Sequence, residues 1–356
     1  MAGDRSRIGV IGTGWWATFA HLPGLAAYPA AELIGVADLD RAKAEQAAAR
    51  FGAGRAFDDH RALLDLKPDG VVIATPHDTH YALVRDALLA GCDVMVEKPM
   101  VVDPAHGREL VALAHERGRN LHIGYPYPYT RHNRLLRDLI EAGELGDILL
   151  CSSLFATSPH ELYKGITAFA GEPGAGAMWA PGTDTYSDPA RGGGQMLTQV
   201  THSASLLFFL TGLRPAAVHA FTDPYDTRVD VWDAINFQTA TGAAGSLAST
   251  GTVPRAQRVI EEYRIFGSAG HALVDTTRGT LAIYAADGTV REEPPLSEAD
   301  RYLLFQPARQ LVDTILGTSP VLVSGELGLL TVEFLAAALE AARTGRVVHL
   351  PIAATV

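Results

Sequence analysis

The chain has 356 residues, 47% apolar and 19% charged, which is enough ordinary globular composition for two domains and excludes a disordered polymer. A formal net charge of −11, with 29 basic against 40 acidic residues and no basic run, excludes nucleic acid as a partner. Two cysteines, no leader-like segment and no apolar run near ~20 residues point to a reducing, cytoplasmic setting, with no disulfide scaffold, metal knuckle or membrane partner.

Read in chain order, Ile8–Ile11 is a buried-strand run, followed by an apolar segment, Trp15–Tyr28, of helical character. Leu33–Ala37 reads as a strand, Arg41–Phe51 as an Ala-rich helix and Val71–Ala74 as a strand. A helix over Asp78–Ala90 comes next, then a strand over Val94–Val96. Pro104–Arg117 reads as a helix and Leu121–Gly124 as a strand. Short Val/Ile runs bracketed by helices predict a parallel sheet covered on both faces, the doubly wound nucleotide-binding architecture.

The texture changes after Gly124. A Pro/Tyr segment, Tyr125–Tyr129, leads to a helix over Asn133–Ala142 that stops at Gly143. Strand runs then dominate: Ile148–Ala156, Ala217–Phe221, Val231–Thr239, Ala243–Val253, Glu261–Phe266, Ala272–Asp275 and Leu281–Ala285. Gly-containing turns between several of them favour antiparallel pairing. Helices are predicted over Met196–Leu210, Tyr302–Leu316 and Gly325–Thr344, and Gly171–Gly194 reads as a long loop of the kind that often carries function. The expected fold class is therefore α/β. A Rossmann domain spans residues 1–124, and a second α/β domain with a mainly antiparallel sheet spans 125–356.

Gly12-Thr13-Gly14-Trp15-Trp16-Ala17 matches G-x-G-x-x-G/A at a strand-to-helix junction. The first glycine permits the tight turn, the second lets backbone approach a pyrophosphate, and the small third residue lets helix and strand pack. Asp38 ends the next strand, where a carboxylate accepts from ribose hydroxyls and repels a 2′-phosphate. This favours NAD over NADP, although the nearby Arg41 softens the preference.

Glu97-Lys98-Pro99 closes another strand of the same sheet, on the edge where such folds bind ligands. A lysine there can serve an alcohol as acid or base if its surroundings lower its pKa; the plainer reading is a lysine paired with Glu97. Thr75-Pro76-His77 sits at a neighbouring strand end, with His80 on the helix that follows. Both histidines are candidates for cofactor contact or plain helix-start residues. In Gly192–His202, a glycine run opens a helix whose polar residues are Gln195, Thr198, Gln199 and His202. Thr198 and His202 are four apart, as are Gln195 and Gln199, so each pair is expected on one face, suited to a polyol's hydroxyls or simply half-buried. Tyr127, Arg131, Trp179 and Arg191 are further positioning candidates, Trp179 by stacking on a sugar face or by packing at a subunit contact.

Together these segments resemble the Gfo/Idh/MocA family of sugar and inositol dehydrogenases. The resemblance rests on Gly12–Ala17, Thr75-Pro76 with His80, Glu97-Lys98-Pro99 and the Gly192–His202 block, in order along the whole chain. It implies a Rossmann domain plus a domain with a large open, mainly antiparallel sheet used in homodimer or homotetramer contacts. It also implies that Lys98 and His202 are the catalytic pair and that Gly12, Thr13, Gly14, Trp15, Trp16, Asp38, Thr75, Pro76, His77, His80, Glu97 and Lys98 line the cofactor. Substrate contacts are expected from Lys98, Tyr127, Trp179, Arg191, Gln195, Thr198, Gln199 and His202. One departure stands out: many members carry aspartate where this chain has Thr198, and glycine where it has Val200. Threonine cannot be a charged partner, so Asp184, Tyr186 or Asp188 is the alternative assistant to Lys98 and His202. The expected activity is NAD-dependent oxidation of a secondary alcohol on a sugar, glycoside or cyclic polyol. The rival readings are an NAD-retaining lyase or glycosidase, a keto-sugar reductase and a non-enzymatic nucleotide-binding regulator.

Overall fold

The structure, a computed structural model, describes residues 5–167 and 176–351. The first part of the Gly171–Gly194 loop lies outside the described residues. The chain forms two compact units. One comprises Met1–Pro126, Thr167–Thr185 and Leu304–Leu329; the other comprises Tyr127–Ile166, Tyr186–Leu303 and Leu330–Val356.

The first unit holds a six-stranded sheet of β1 (Ser6–Ile11), β2 (Ala31–Ala37), β3 (Ala56–Phe57), β4 (Gly70–Ile73), β5 (Asp93–Val96) and β6 (Leu121–Ile123). All its pairings are parallel, in the order β3-β2-β1-β4-β5-β6. β1, β4, β5 and β6 are buried almost throughout, which is why they read as unbroken apolar runs rather than alternating ones. The order reverses between β1 and β4, creating the crevice where doubly wound sheets bind ligands at the strands' carboxyl ends. Helix termini follow local chemistry. Asp40 caps Arg41–Phe51 by accepting from Ala42 and Lys43 N–H, and Gly52 ends it in the left-handed conformation. Asp103 and Pro104 open Pro104–Arg117, which stops at the left-handed Gly118. The expected helix over Trp15–Tyr28 is instead a π-turn, Ala17–His21, followed by Leu22–Ala26.

The second unit holds a nine-stranded sheet whose strands in chain order are β7 (Ile148–Ala156), β8 (Pro215–Asp223), β9 (Trp232–Thr239), β10 (Ala244–Thr250), β11 (Ile260–Gly267), β12 (Gly270–Asp275), β13 (Thr280–Ala285), β14 (Val290–Glu293) and β15 (Val348–His349). Their order is β14-β13-β12-β11-β7-β10-β9-β8-β15, antiparallel except for the β7–β10 pair. Cys151, Ser153 and Phe155 of β7 are buried, while Leu150 and Leu154, of the opposite parity, are exposed. Exposed Phe221, Trp232 and Ile260 continue this apolar population on neighbouring strands. The helix Thr201–Thr211 is buried almost end to end, so apolar residues at Leu206–Leu210 occupy every side of its second half while Thr201, His202, Ser203 and Ser205 are buried polar residues in its first. Phe334 packs edge-on against Phe208 and Phe237.

Candidate active site

In the first unit, Gly12 follows β1 with φ +89°, and a Cβ there would lie 2.5 Å from the Ala74 carbonyl oxygen. Only glycine satisfies both conditions. A Cβ on Gly14 would meet nothing within 4 Å, so this turn leaves backbone open to a pyrophosphate as the fingerprint requires. Asp38 Oδ2 accepts from the Thr13 N–H at 2.8 Å and the Thr13 hydroxyl at 2.9 Å, and Oδ1 accepts from Asp40 N–H at 3.0 Å. The carboxylate is thus fixed beside the glycine turn, half-buried, with acceptor capacity left for ribose hydroxyls. The turn and the acid together fit a nicotinamide dinucleotide.

At the end of β5, Lys98 is half-buried and joined to Pro99 by a cis peptide. Burial pulls its ammonium below the ordinary lysine pKa, and the Glu97 charge opposes that pull. Glu97 was expected to contact the cofactor. Instead both its oxygens are committed inside the protein, to the Trp16 indole N–H, His21 Nε2 and the Lys98 backbone N–H. His80 is likewise withdrawn from cofactor contact: it is fully buried, with Nδ1 2.9 Å from Pro99 O and Nε2 3.0 Å from Thr75 O. Burial disfavours its charged form, and a neutral imidazole donates to one of these carbonyls at a time. Thr75 and Pro76 are half-buried at the end of β4, and His77 lies against the His80 ring at 5.9 Å. Trp15 stacks on Phe19 and stays half-exposed.

Trp179, a substrate-contact candidate, belongs to this unit too and is half-buried. The Lys43 ammonium lies 5.5 Å from its ring centre. The adjoining chain is pinned where Met178 N–H donates to the Thr18 hydroxyl and Arg50 donates to Gly176 O. Both anchors lie on helices that follow the nucleotide-binding strands β1 and β2.

In the second unit, the predicted helix from Met196 begins as a π-turn, Met196–Val200, before the α-helix Thr201–Thr211. Gly194, with φ +99°, brings the chain so close to Asp230 that a Cβ would sit 2.2 Å from Oδ1; the Asp230 carboxylate thereby accepts the Met196 N–H. Gln195 and Thr198 were expected to face substrate, but both are fully buried. Gln195 Oε1 accepts from the Tyr163 hydroxyl at 2.7 Å, and its amide donates to Ser249 at 2.7 Å and Thr157 at 3.2 Å. The Thr198 hydroxyl donates to Gly194 O and lies 2.8 Å from the Tyr163 hydroxyl. These two residues brace the helix start. His202 is buried with its ring edge-on to Tyr127 at 6.0 Å and to Phe155 at 6.2 Å. Gln199 and Arg191 are half-buried. Asp188 is occupied in capping Ala190, and Tyr186 packs on the cluster of Tyr163, Val229 and Val231. Arg131 pairs with Glu293 at 3.6 Å.

Among the polar residues that escaped the sequence reading are His21, Tyr163 and Glu261. Glu261 shares the inward parity of Tyr263 and Ile265 on β11, an alternation that was visible in the sequence. Its carboxyl is fully buried, accepts from Tyr263 at 2.6 Å and Thr276 at 2.9 Å, and also bonds the Tyr127 hydroxyl. Burial outweighs these donors and pushes it up to about 7 from 4.5. A carboxyl whose folded-state pKa is raised binds its proton more tightly in the native state, so stability falls as pH rises across this interval. The expected loss between about pH 4.5 and about pH 7 is about 3 kcal/mol, and Glu261→Gln should flatten that slope in urea unfolding.

Residues 6–125 match the oxidoreductase family with an NAD-binding Rossmann fold, and residues 133–273 match the GFO/IDH/MocA C-terminal domain. The chain belongs to the Gfo/Idh/MocA oxidoreductase family. It is 28% identical over 334 residues to the UDP-N-acetylglucosamine 3-dehydrogenase of Acidithiobacillus ferrooxidans, covering 90% of this chain and 92% of that protein. It is 27% identical over 225 residues to the D-glucoside 3-dehydrogenase of Escherichia coli K12, covering 62% of this chain and 59% of the relative's length. Among solved structures, GenD2 from gentamicin A biosynthesis, in complex with NAD, superposes with a TM-score of 0.78 at 25% identity over 99% of this chain and 98% of that one. Among the described residues, no helix is long and apolar enough to cross a membrane and no cluster of metal-ligating side chains occurs.

Proposed function

We propose that this chain is a dehydrogenase that uses NAD to oxidise a secondary hydroxyl of a sugar, at ring position 3 of a hexose glycoside or nucleotide sugar. The observation that carries the reading is Lys98: a half-buried lysine of lowered pKa at the carboxyl edge of the sheet that also presents the Gly12–Gly14 turn. The position is suggested by the two relatives above, both named as 3-dehydrogenases. In this reading residues 1–124 are the cofactor domain and 125–356 the substrate and assembly domain. NAD is preferred over NADP because the fixed Asp38 carboxylate repels a 2′-phosphate. The nicotinamide, when bound, supplies the hydride acceptor. Lys98 hydrogen-bonds the reacting oxygen and stabilises its developing charge, and His202 receives the proton. Tyr127, held by Glu261, and Gln199 and Arg191 are the remaining substrate-positioning candidates. The exposed apolar residues Leu150, Leu154, Phe221, Trp232 and Ile260 of the nine-stranded sheet fit the contact surface of a homodimer or homotetramer.

The test is NADH absorbance during incubation with NAD and a panel of glycosides, nucleotide sugars, monosaccharides and inositols. Steady NADH formation with hexose derivatives, absent with their 3-deoxy analogues, is the expected result. Product formation without net NADH would overturn it in favour of transient oxidation within a lyase or glycosidase.

A further inference from the structure

Glu97 is 7% exposed, and both oxygens of its carboxylate accept hydrogen bonds at the carboxyl end of β5. Oε1 accepts from Trp16 Nε1 and from His21 Nε2, both at 2.8 Å, and Oε2 accepts from the Lys98 backbone N–H at 3.1 Å. Trp16 and His21 are five residues apart, a spacing that an α-helix turns about 140° away from a common face. The intervening π-turn, closed by Leu22 N–H on Ala17 O, brings both donors to one oxygen. On the other flank, His80 Nδ1 lies 2.9 Å from the Pro99 carbonyl, at the far side of the Lys98-Pro99 unit.

We propose that Trp16 and His21 are positioning residues that act through Glu97, keeping its carboxylate ionised and in place so that it fixes the Lys98 backbone and opposes loss of the Lys98 proton. The role of Lys98 in turnover rests on the function proposed above; its coupling to this trio does not. Burial alone would push the Glu97 carboxyl up. The His21 hydrogen bond and charge, with Lys98, more than reverse this and leave it below its ordinary value. The titratable and charged groups facing Glu97 are His21, Lys98 and His80. Removing a donor from Oε1 returns Glu97 toward its protonated form and takes away the negative charge that supports the Lys98 ammonium. Lys98 then loses its proton at lower pH.

The chain has four lysines, Lys43, Lys67, Lys98 and Lys164, so Lys98 can be titrated directly by NMR in full-length protein labelled with [ε-13C]lysine. Its signal is the one missing in Lys98→Arg. The expected result is a Lys98 midpoint lower by about one pH unit, a ten-fold weaker hold on the proton, in His21→Leu and Glu97→Gln. Trp16→Phe should shift it the same way by less, and His21→Gln, which can restore an N–H near the Nε2 position, should return it toward wild type. An unchanged midpoint in His21→Leu and Glu97→Gln overturns the proposal; if His21→Leu does not fold, an unchanged midpoint in Trp16→Phe does so. Because this readout needs no turnover, a shifted midpoint in a protein that forms no NADH would sink the dehydrogenase reading alone. Normal turnover with an unshifted midpoint would sink this one alone. Where both hold, the alkaline limb of kcat/KM moves down with the Lys98 midpoint, a change that mere loosening of the fold would not produce.

Discussion

Lys98→Ala is expected to lower kcat/KM for sugar oxidation by about a thousand-fold, about 4 kcal/mol of transition-state stabilisation, while NAD affinity is retained. The magnitude follows from what the side chain offers. It is a cationic hydrogen-bond donor in a partly desolvated position, and such a donor is worth far more to a developing oxyanion than the same group in water. The retained affinity follows from the proposed cofactor anchors, the Gly12–Gly14 turn and Asp38, which alanine at position 98 leaves untouched. Steady-state kinetics and a fluorescence titration with NAD separate the two effects. A large loss of NAD affinity with a small loss in kcat would make Lys98 a cofactor anchor instead. Lys98→Arg should rescue little, because a guanidinium keeps its charge but cannot take the place of a compact ammonium.

How much of this was legible in the sequence depends on the range of the interaction concerned. β1, β2, β4, β5 and β6 were readable because a strand buried on both faces leaves an unbroken apolar run, and the helices between them carry Asp caps and Gly stops. β3 is two residues long and β15 likewise, too short to leave a period. The Gly-x-Gly turn, Asp38 and Lys98 were readable as strand-end residues because their local geometry depends on residue type at a strand end. Gln195 and Thr198 misled because polarity within an apolar helix has two explanations. Only the partners Tyr163, Ser249 and Thr157, 32, 54 and 38 residues from Gln195, decide between substrate and internal bonding. The nearness of Lys43 to Trp179 is equally invisible in the sequence around either residue. The two π-turns left no period to read, because each adds one residue to an otherwise helical pattern. Yet one of them determines which side chains reach Glu97.

The glycine turn offers the sharpest separation of folding from binding. Gly12→Ala should destabilise the protein by about 2–5 kcal/mol, from the left-handed backbone and the overlap of its Cβ with fixed main-chain atoms. The first contact would be 2.5 Å from Ala74 O, and that carbonyl cannot easily move aside, because Ala74 N–H donates to Ile11 O and directly follows β4, which is paired on both edges. Gly14→Ala has no such clash, so urea unfolding should show stability unchanged or raised by roughly 0.4–1 kcal/mol through a stiffer unfolded chain. Its cost appears only when the cofactor binds, because the new methyl stands where backbone must approach the pyrophosphate. A loss of about a hundred-fold in NAD affinity, near 3 kcal/mol, is expected by calorimetry for Gly14→Ala. If Gly14→Ala binds NAD as tightly as the parent, the pyrophosphate does not lie against this turn. The fit of the dinucleotide would then have to be rebuilt from Asp38 outward.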